Sequence, residues 1–153
     1  MTSRIVNLKN TEHQKAFFKL LNAYMLDDMG LNAHLDENKG QKIVADLLIH
    51  PSYVGFFVKE NDEFIALANC FVNYSTFSAR QLINIHDFVV ASEYRCKGAG
   101  YFLLSAIEKY GQENDFCRIN LEVREDNVKA RSLYYKYGFR ECSPAMSFWE
   151  KWL

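Results

Sequence analysis

The chain has 153 residues, of which 49% are hydrophobic, so it can bury a core of its own and falls near the usual size of one domain. Lys and Arg number 18 against 19 Asp and Glu, and the net charge of -1 disfavours a nucleic-acid partner because it gives no field that would concentrate a polyanion. The apolar stretches are shorter than the roughly 20 residues of a spanning helix and the first 15 residues are polar, which excludes a membrane partner and predicts a cytoplasmic protein.

A short strand is predicted around Ile5, within Ser3–Leu8. Thr11 and Gln14 have capping-box spacing and predict the start of a helix. Its apolar positions are Ala16, Phe17, Leu20, Leu21, Tyr24 and Met25. A second helix is predicted to end before Pro51. Its apolar positions are Ile43, Val44, Leu47 and Leu48.

Three β-rich runs follow, and Asn61-Asp62 is a turn signal between the first two. The runs are Tyr53–Lys59, Phe64–Asn73 and Gln81–Ala91. A glycine turn at residues 95–100 then opens a helix. The apolar positions of this helix are Phe102, Leu103, Ala106, Ile107 and Tyr110. Arg118–Val123 alternates as a strand, which we expect to run parallel to the strand before the turn and to complete a βαβ crossover.

The last helix is predicted to be capped by Asp126 or Asn127 and to end at Gly138. Its apolar positions are Ala130, Leu133, Tyr134 and Tyr137. The aromatic run Phe148–Leu153 is predicted to form a final strand. The chain contains no linker-like or repetitive segment, so we predict a single domain over residues 1–153.

The four cysteines are widely separated and lack the short paired spacing of metal or redox sites. They are Cys70, Cys96, Cys117 and Cys142. Since free cysteine usually behaves as a small hydrophobe, we expect reduced, mostly buried thiols. No metal is predicted.

The turn combines features of an anion site. Arg95, Gly98 and Gly100 lie where a strand meets a helix, and the unpaired N–H groups and positive end of a helix can hold a phosphate. By itself, this short glycine pattern fits a purely conformational turn equally well. It lacks the three glycines of a dinucleotide fingerprint and the Gly-Lys-Ser/Thr ending of a P-loop.

A second segment changes this interpretation. It comprises Asn127, Ala130, Leu133, Tyr134, Gly138 and Phe139. Together, the two segments resemble the GNAT superfamily of N-acetyltransferases, whose acetyl-CoA turn reads Arg/Gln-x-x-Gly-x-Gly/Ala and whose later helix reads Asn-x-x-Ala-x-x-Leu-Tyr before a closing Gly-Phe. The match is specific over residues 82–140. This chain departs from the pattern at Cys96, where glycine is common, and at Lys97, but both residues keep their backbone N–H groups.

The resemblance implies an α/β (α+β) fold with a mixed, mostly antiparallel sheet of six to seven strands, about four helices and a central βαβ unit that holds the acetyl-CoA turn. It also implies acetyl-CoA as cosubstrate, direct transfer in a ternary complex, and a homodimer. Phe71–Val90 is most similar to the polyamine and thialysine (diamine) acetyltransferases, which implies a small-molecule amine as acceptor. Those enzymes commonly carry Glu-Asp at the position of His86-Asp87.

The resemblance also implies site residues. Phe88, Val89 and Val90 would lie along the pantetheine and acetyl group. The pyrophosphate would be held by the N–H groups of Arg95, Cys96, Lys97, Gly98, Ala99, Gly100 and Tyr101. Asn127 either caps the last helix, contacts the cofactor, or does both.

Tyr134 matches the family tyrosine that protonates the departing thiolate. A thiol has a reference pKa about 1.5 units below that of a phenol, a gap that a hydrogen bond can bridge. Spacing alone also fits a tyrosine that packs in the apolar stripe. Tyr135, one position off the stripe, is the weaker candidate.

A primary amine arrives mostly charged and must lose a proton before it attacks. His86, Asp87 or a water chain is the candidate base, and since His86 and Asp87 are adjacent on a strand we expect their side chains on opposite faces. His86 is alternatively a hydrogen-bonded residue of the sheet, and Asp87 either binds the ammonium group or ties down a loop.

Acceptor-binding candidates come from the acidic exit of the first helix and from nearby aromatics, although a solvated face and core packing also explain them. They are Tyr24, Asp27, Asp28, Tyr74 and Asp87. The alternative functions are a protein lysine or N-terminal acetyltransferase and a non-catalytic acetyl-CoA-binding regulatory module. Acetylation of aminoacyl-tRNA receives little support from the net charge.

Overall fold

The computed structural model describes Met1–Leu153, with four α-helices and one five-stranded sheet. The first half contains β1 Thr2–Ile5, α1 Thr11–Leu26, α2 Glu37–Ile49, β2 Tyr53–Glu60 and β3 Glu63–Ser75. The second half contains β4 Arg80–Val90, a 3₁₀ turn Ser92–Tyr94, α3 Ala99–Glu113, β5 Ile119–Leu121 and α4 Val128–Tyr137. No helix is both long and apolar enough to cross a membrane.

The N-cap of the first helix lies one residue earlier than the sequence predicts. The side chain of Asn10, rather than Thr11, accepts hydrogen bonds from the N–H groups of Glu12 and His13. Asparagine is a stronger N-cap than threonine, and it satisfies two of the leading donors here. The predicted apolar stripe is correct in its first four members. Its buried residues are Ala16, Phe17, Leu20 and Leu21.

The sheet order is β1-β2-β3-β4-β5. The pairs β1-β2, β2-β3 and β3-β4 are antiparallel and β5 runs parallel to β4, so the predicted mixed sheet and βαβ crossover are confirmed. The turn between β2 and β3 uses Asn61 and Asp62 at positive φ values of 47° and 65°, as the turn signal predicts.

The predicted number of six to seven strands is wrong, because the sheet has five. The expected strand at Phe148–Leu153 is not formed. Trp149 and Trp152 are each 88% exposed. Aromatic residues favour a strand only when a neighbouring strand supplies the hydrogen-bond ladder, and local propensity does not provide one.

The sheet lies between helices on its two faces. Phe57, Leu67 and Val89 pack in a cluster with α1 residues. On the other face, Phe56 contacts Tyr110 of α3, with ring centroids 5.4 Å apart. The strands β2, β3 and β4 therefore contribute alternate residues to two apolar layers.

The Cα positions group the chain into two compact units, Met1–Glu122 and Val123–Leu153. The first contains the whole sheet and α1, α2 and α3, and the second contains α4. The single domain stays a prediction. Among the cysteines only Cys70 is buried, so the expectation of mostly buried thiols is wrong, since Cys96 and Cys142 are exposed and Cys117 is intermediate.

Candidate active site

The glycine turn has the backbone conformation of an anion cradle. Gly98 is the N-cap of α3 in the left-handed region, with φ 88° and ψ -7°, and Cys96 also has a positive φ of 59°. The α-helical ladder starts with the N–H of Phe102, which donates to the carbonyl of Gly98 at 2.9 Å. The leading N–H groups of α3 precede this bond, and no side chain caps them at Gly98.

Space and charge at this turn also suit an anion. A Cβ atom built on Gly98 would meet only the Cε atom of Met1 within 4 Å, at 3.9 Å. The first turn of α3 carries no acidic residue. Lys97 adds a positive charge, and its Nζ lies 5.9 Å from the ring centroid of Tyr94. A phosphate can therefore approach Gly98 without a steric clash and without repulsion from the first turn of α3.

The side chain of Arg95 ties this turn to the end of α1. Its Nε donates to the carbonyl of Val90 at 2.9 Å, and its Nη2 lies 2.9 Å from Oδ2 of Asp27, the C-cap residue of α1. The other oxygen of Asp27 accepts from the N–H of Met29 at 3.0 Å. Asp27, an acceptor-binding candidate, thus has both oxygens engaged within the fold.

Backbone groups of β4 face an opening at the side of β5. The pairing of β4 with β5 runs from Ile83 to Ile85, whereas β4 continues to Val90. The N–H of Ala91 donates to β3, so alternation turns the backbone groups of Phe88 and Val90 away from β3, toward the side where β5 has ended. Val89 instead places its side chain in the core beneath α1.

A β-bulge lies in β4 at His86. Asn69 of β3 pairs with Asp87, and the next residue, Cys70, pairs with Ile85, which leaves His86 as the extra residue. A bulge interrupts the alternation of side chains and redirects them. The bulge therefore changes the geometry of the pair that carries the candidate bases.

His86 and Asp87 point to the same face, so the prediction of opposite faces is wrong. The His86 ring contacts the Phe71 ring at 5.8 Å, and Oδ2 of Asp87 accepts from Nδ2 of Asn69 at 3.0 Å. Asn69 and Phe71 are two residues apart on β3 and share a face. Both candidate bases therefore face the α1 side of the sheet together.

Two residues that the sequence analysis missed support this pair. The Tyr53 hydroxyl donates to Oδ1 of Asn69 at 2.9 Å, and Asn69 then reaches Asp87. Burial raises the pKa of the Tyr53 phenol, with smaller effects from Cys70 and Asp87, so the hydroxyl stays protonated. The sequence itself marks Asn69, because this residue interrupts an apolar run and a buried amide needs hydrogen-bond partners.

Aromatic rings surround Phe71 beside these polar groups. The rings of His50 and Tyr53 lie 5.2 Å and 5.9 Å from it, in addition to His86. His50 is the C-cap of α2, so the end of α2 lies over the same face of the sheet. The arrangement places aromatic rings on the same face of the sheet as the carboxylate of Asp87, a combination that suits an organic cation.

In the second unit, α4 has the predicted caps. Asn127 accepts from the N–H of Ala130 at 3.1 Å, and Gly138 ends the helix at φ 117°. Tyr134 is 8% exposed, and its ring lies 5.7 Å from that of Phe139. Asn127 and Gly138 therefore cap the two ends of α4, and Tyr134 packs in its apolar stripe.

Of the remaining acceptor candidates, Tyr74 lies far along β3 from the Asp87 pair. Tyr74 pairs with Gln81, five residues along β3 from Asn69, which is about 17 Å at the usual rise per residue. Asp28 is exposed, and Tyr24 is half-buried on α1. No cluster of three or more His, Cys, Asp or Glu side chains is arranged to hold a metal ion.

Residues 12–139 match the model of the acetyltransferase (GNAT) family. An uncharacterized N-acetyltransferase, YhfO of Bacillus subtilis (strain 168), is 35% identical over 97 residues, which cover 63% of this chain and 64% of that protein. Streptothricin acetyltransferase A of the same organism is 40% identical over 55 residues, 36% of this chain and 32% of that protein. The matches thus span less than two thirds of both relatives.

Solved structures share the fold at low identity. A probable acetyltransferase superposes with a TM-score of 0.87 at 18% identity, covering 100% of this chain and 99% of that one. Aminoglycoside N-acetyltransferase AAC(6')-Iy in complex with CoA superposes with a TM-score of 0.78 at 14% identity, covering 98% of this chain and 93% of that one. A ribosomal-protein-alanine N-acetyltransferase from Brucella melitensis superposes with a TM-score of 0.72 at 13% identity, covering 100% of this chain and 98% of that one. These similarities show the fold alone.

Proposed function

We propose that this chain, which belongs to the acetyltransferase (GNAT) family, is an acetyl-CoA-dependent N-acetyltransferase that acetylates a primary amine of a small cationic molecule such as a polyamine or thialysine. The observation that carries the acceptor class is the face shared by His86, Asp87 and Phe71. It combines a carboxylate, an imidazole and aromatic rings at the bulge of β4.

The cofactor's place follows from the turn and the adjoining strand. The N–H groups of residues 95–101 bind the pyrophosphate, and the donor set fits this because Gly98 leaves the helix end open. Phe88 and Val90 offer backbone groups to the pantetheine arm and to the acetyl oxygen, which gains negative charge during attack. Acetyl-CoA supplies the activated acetyl thioester, and Asn127 adds a polar contact to it.

Asp87 and His86 have different roles toward the acceptor amine. A carboxylate has a reference pKa of about 4 and is a weak base toward an ammonium group, but it binds that cation well. An imidazole, with a reference pKa of about 6.5, is closer to the amine in basicity. Asp87 therefore binds the ammonium group, and His86 accepts its proton directly or through a water.

Tyr134 returns a proton to the departing thiolate. Its position in the Asn127–Phe139 segment supports this role, and its protonated phenol is the chemical group that the step needs. The amine attacks the acetyl carbon directly, the C–S bond breaks, and the sulfur takes the phenolic proton. No covalent bond to the protein forms at any stage.

The names of two similar proteins also support a small acceptor, since one is a streptothricin acetyltransferase and another an aminoglycoside N-acetyltransferase. A third is a ribosomal-protein-alanine N-acetyltransferase, so a protein acceptor is the second candidate. A homodimeric, cytoplasmic enzyme is part of the proposal, and light scattering of the purified protein measures its mass in solution.

The test is thiol release from acetyl-CoA across a panel of polyamines, thialysine, lysine, aminoglycosides and peptides, with an enzyme-only blank. Release that depends on one small amine supports the proposal and identifies the acceptor class. Release with peptides alone would replace it with the protein-acceptor function. Binding of acetyl-CoA without release in any reaction would favour a regulatory module.

A further inference from the structure

Asn69 is a polar residue in an apolar layer, and both ends of its amide are used. It is 3% exposed, its Oδ1 accepts from the Tyr53 hydroxyl at 2.9 Å, and its Nδ2 donates to Oδ2 of Asp87 at 3.0 Å. A buried amide group without a partner is costly, because the group has given up its hydrogen bonds to water. Tyr53 and Asp87 thus complete one chain of hydrogen bonds across three strands.

The donor-to-acceptor direction of these hydrogen bonds is determined by the two end groups. The phenol of Tyr53 is protonated and donates to a carbonyl oxygen, and the carboxylate of Asp87 can only accept. A reversed amide would set Oδ1 of Asn69 against an oxygen of Asp87. The amide nitrogen is therefore held toward the carboxylate, and only Oδ2 of Asp87 takes part in the chain.

From this arrangement we infer that Asn69 and Tyr53 are positioning residues that hold the Asp87 carboxylate toward the ammonium group of the acceptor. The inference rests on the proposed function, because it assigns these residues a task only if Asp87 binds the acceptor. The other groups near Asp87 are the Cys70 thiol and the His86 ring. Neither donates to Oδ2 in place of Asn69.

The bulge explains why the carboxylate needs such support. At His86 the regular alternation of β4 is interrupted, so the strand itself does not fix the direction of the Asp87 side chain. A hydrogen bond from the neighbouring strand supplies the missing constraint. Tyr53, on β2, fixes the donor in turn, so three adjacent strands define the position of one carboxylate.

The experiment compares Tyr53→Phe and Asn69→Leu with the wild-type protein, using the amine that supports thiol release. Tyr53→Phe removes one hydroxyl and keeps the ring, and we expect the acceptor KM to rise roughly 3- to 10-fold. Asn69→Leu removes the donor itself and raises the acceptor KM by at least about 10-fold. In both variants the acetyl-CoA KM stays within about twofold, since a lost positioning contact acts on one substrate.

Tyr94→Phe is the matched control. It also removes a tyrosine hydroxyl with a hydrogen bond of 2.9 Å, here to Glu63, and it leaves the acceptor KM unchanged. If Tyr53→Phe folds and its acceptor KM equals that of the wild type, the inference is wrong while the proposed function stands. If the wild-type protein acetylates no amine, the proposed function fails and the inference fails with it.

Discussion

Gly98→Ala tests whether the turn binds the cofactor through its backbone. Gly98 has a φ of 88°, a conformation that costs an alanine about 1 to 2 kcal/mol. The new Cβ would meet only the Cε atom of Met1, at 3.9 Å, so no clash adds to this cost. The free energy of unfolding should fall by about 1 to 2 kcal/mol, which corresponds to about 2 to 8 °C in Tm for a chain of this size.

The effect on binding should be larger than the effect on stability. In the proposed complex the Cβ would lie where a phosphate approaches the N–H groups, and losing one such charge-assisted hydrogen bond costs about 1.5 to 3 kcal/mol. The Kd for CoA, measured by isothermal titration calorimetry well below Tm, should therefore rise roughly 10- to 100-fold.

Gly138→Ala is the matched control, because Gly138 also has a positive φ, 117°, and no atom lies within 4 Å of the position that a Cβ would take there. It should lower stability by a similar amount and leave the Kd for CoA unchanged. Equal affinities of folded Gly98→Ala and wild type would refute the assignment of the turn.

Three further predictions concern single side chains. Tyr134→Phe should lower kcat by about 100-fold or more with the Kd for CoA unchanged, because it removes the proposed general acid, as steady-state kinetics and calorimetry can measure. Asp27→Asn frees the Arg95 guanidinium for the pyrophosphate, so the Kd for CoA should fall about 2-fold by calorimetry. Hydrogen bonding from Lys19 holds the pKa of Glu63 below its ordinary value, so its stabilisation is present at neutral pH and lost as pH falls through that lowered pKa. The free energy of unfolding, measured in urea, should therefore fall less for Glu63→Gln than for the wild type as the pH is lowered from 7.

Each of these has a contrary outcome. Full turnover of Tyr134→Phe would remove that residue from the mechanism, and Tyr135→Phe is its control on the neighbouring position. Weaker CoA binding by Asp27→Asn would mean that the ion pair supports the turn rather than competing with the phosphate. Identical acid sensitivity of Glu63→Gln and wild type would show that this carboxylate plays no part in acid unfolding.

Local pattern was sufficient for the helices and for the position of the glycine turn. Amphipathic spacing located α1 to α4, and the αL glycines Gly98 and Gly138 stand where a cap or turn needs them. The cap at Asn10 was missed because two adjacent polar residues compete for that role, and spacing does not decide between them.

Features that depend on strand pairing were not predictable. The bulge at His86 arises from the register between β3 and β4, so the expectation that His86 and Asp87 diverge failed. Tyr53 and Asn69 are 16 residues apart in sequence and meet only across β2 and β3. The range Phe148–Leu153 has the composition of a strand without the partner that a strand requires.

The most direct test of the central claim follows the acetyl group itself. The protein is incubated with acetyl-CoA labelled in its acetyl group and with the amine that supports thiol release, and mass spectrometry then locates the label. Direct transfer predicts one labelled acetyl group on a primary nitrogen of the amine and none on the protein. Label found only in free acetate, or attached to the protein, would contradict direct transfer to a small amine.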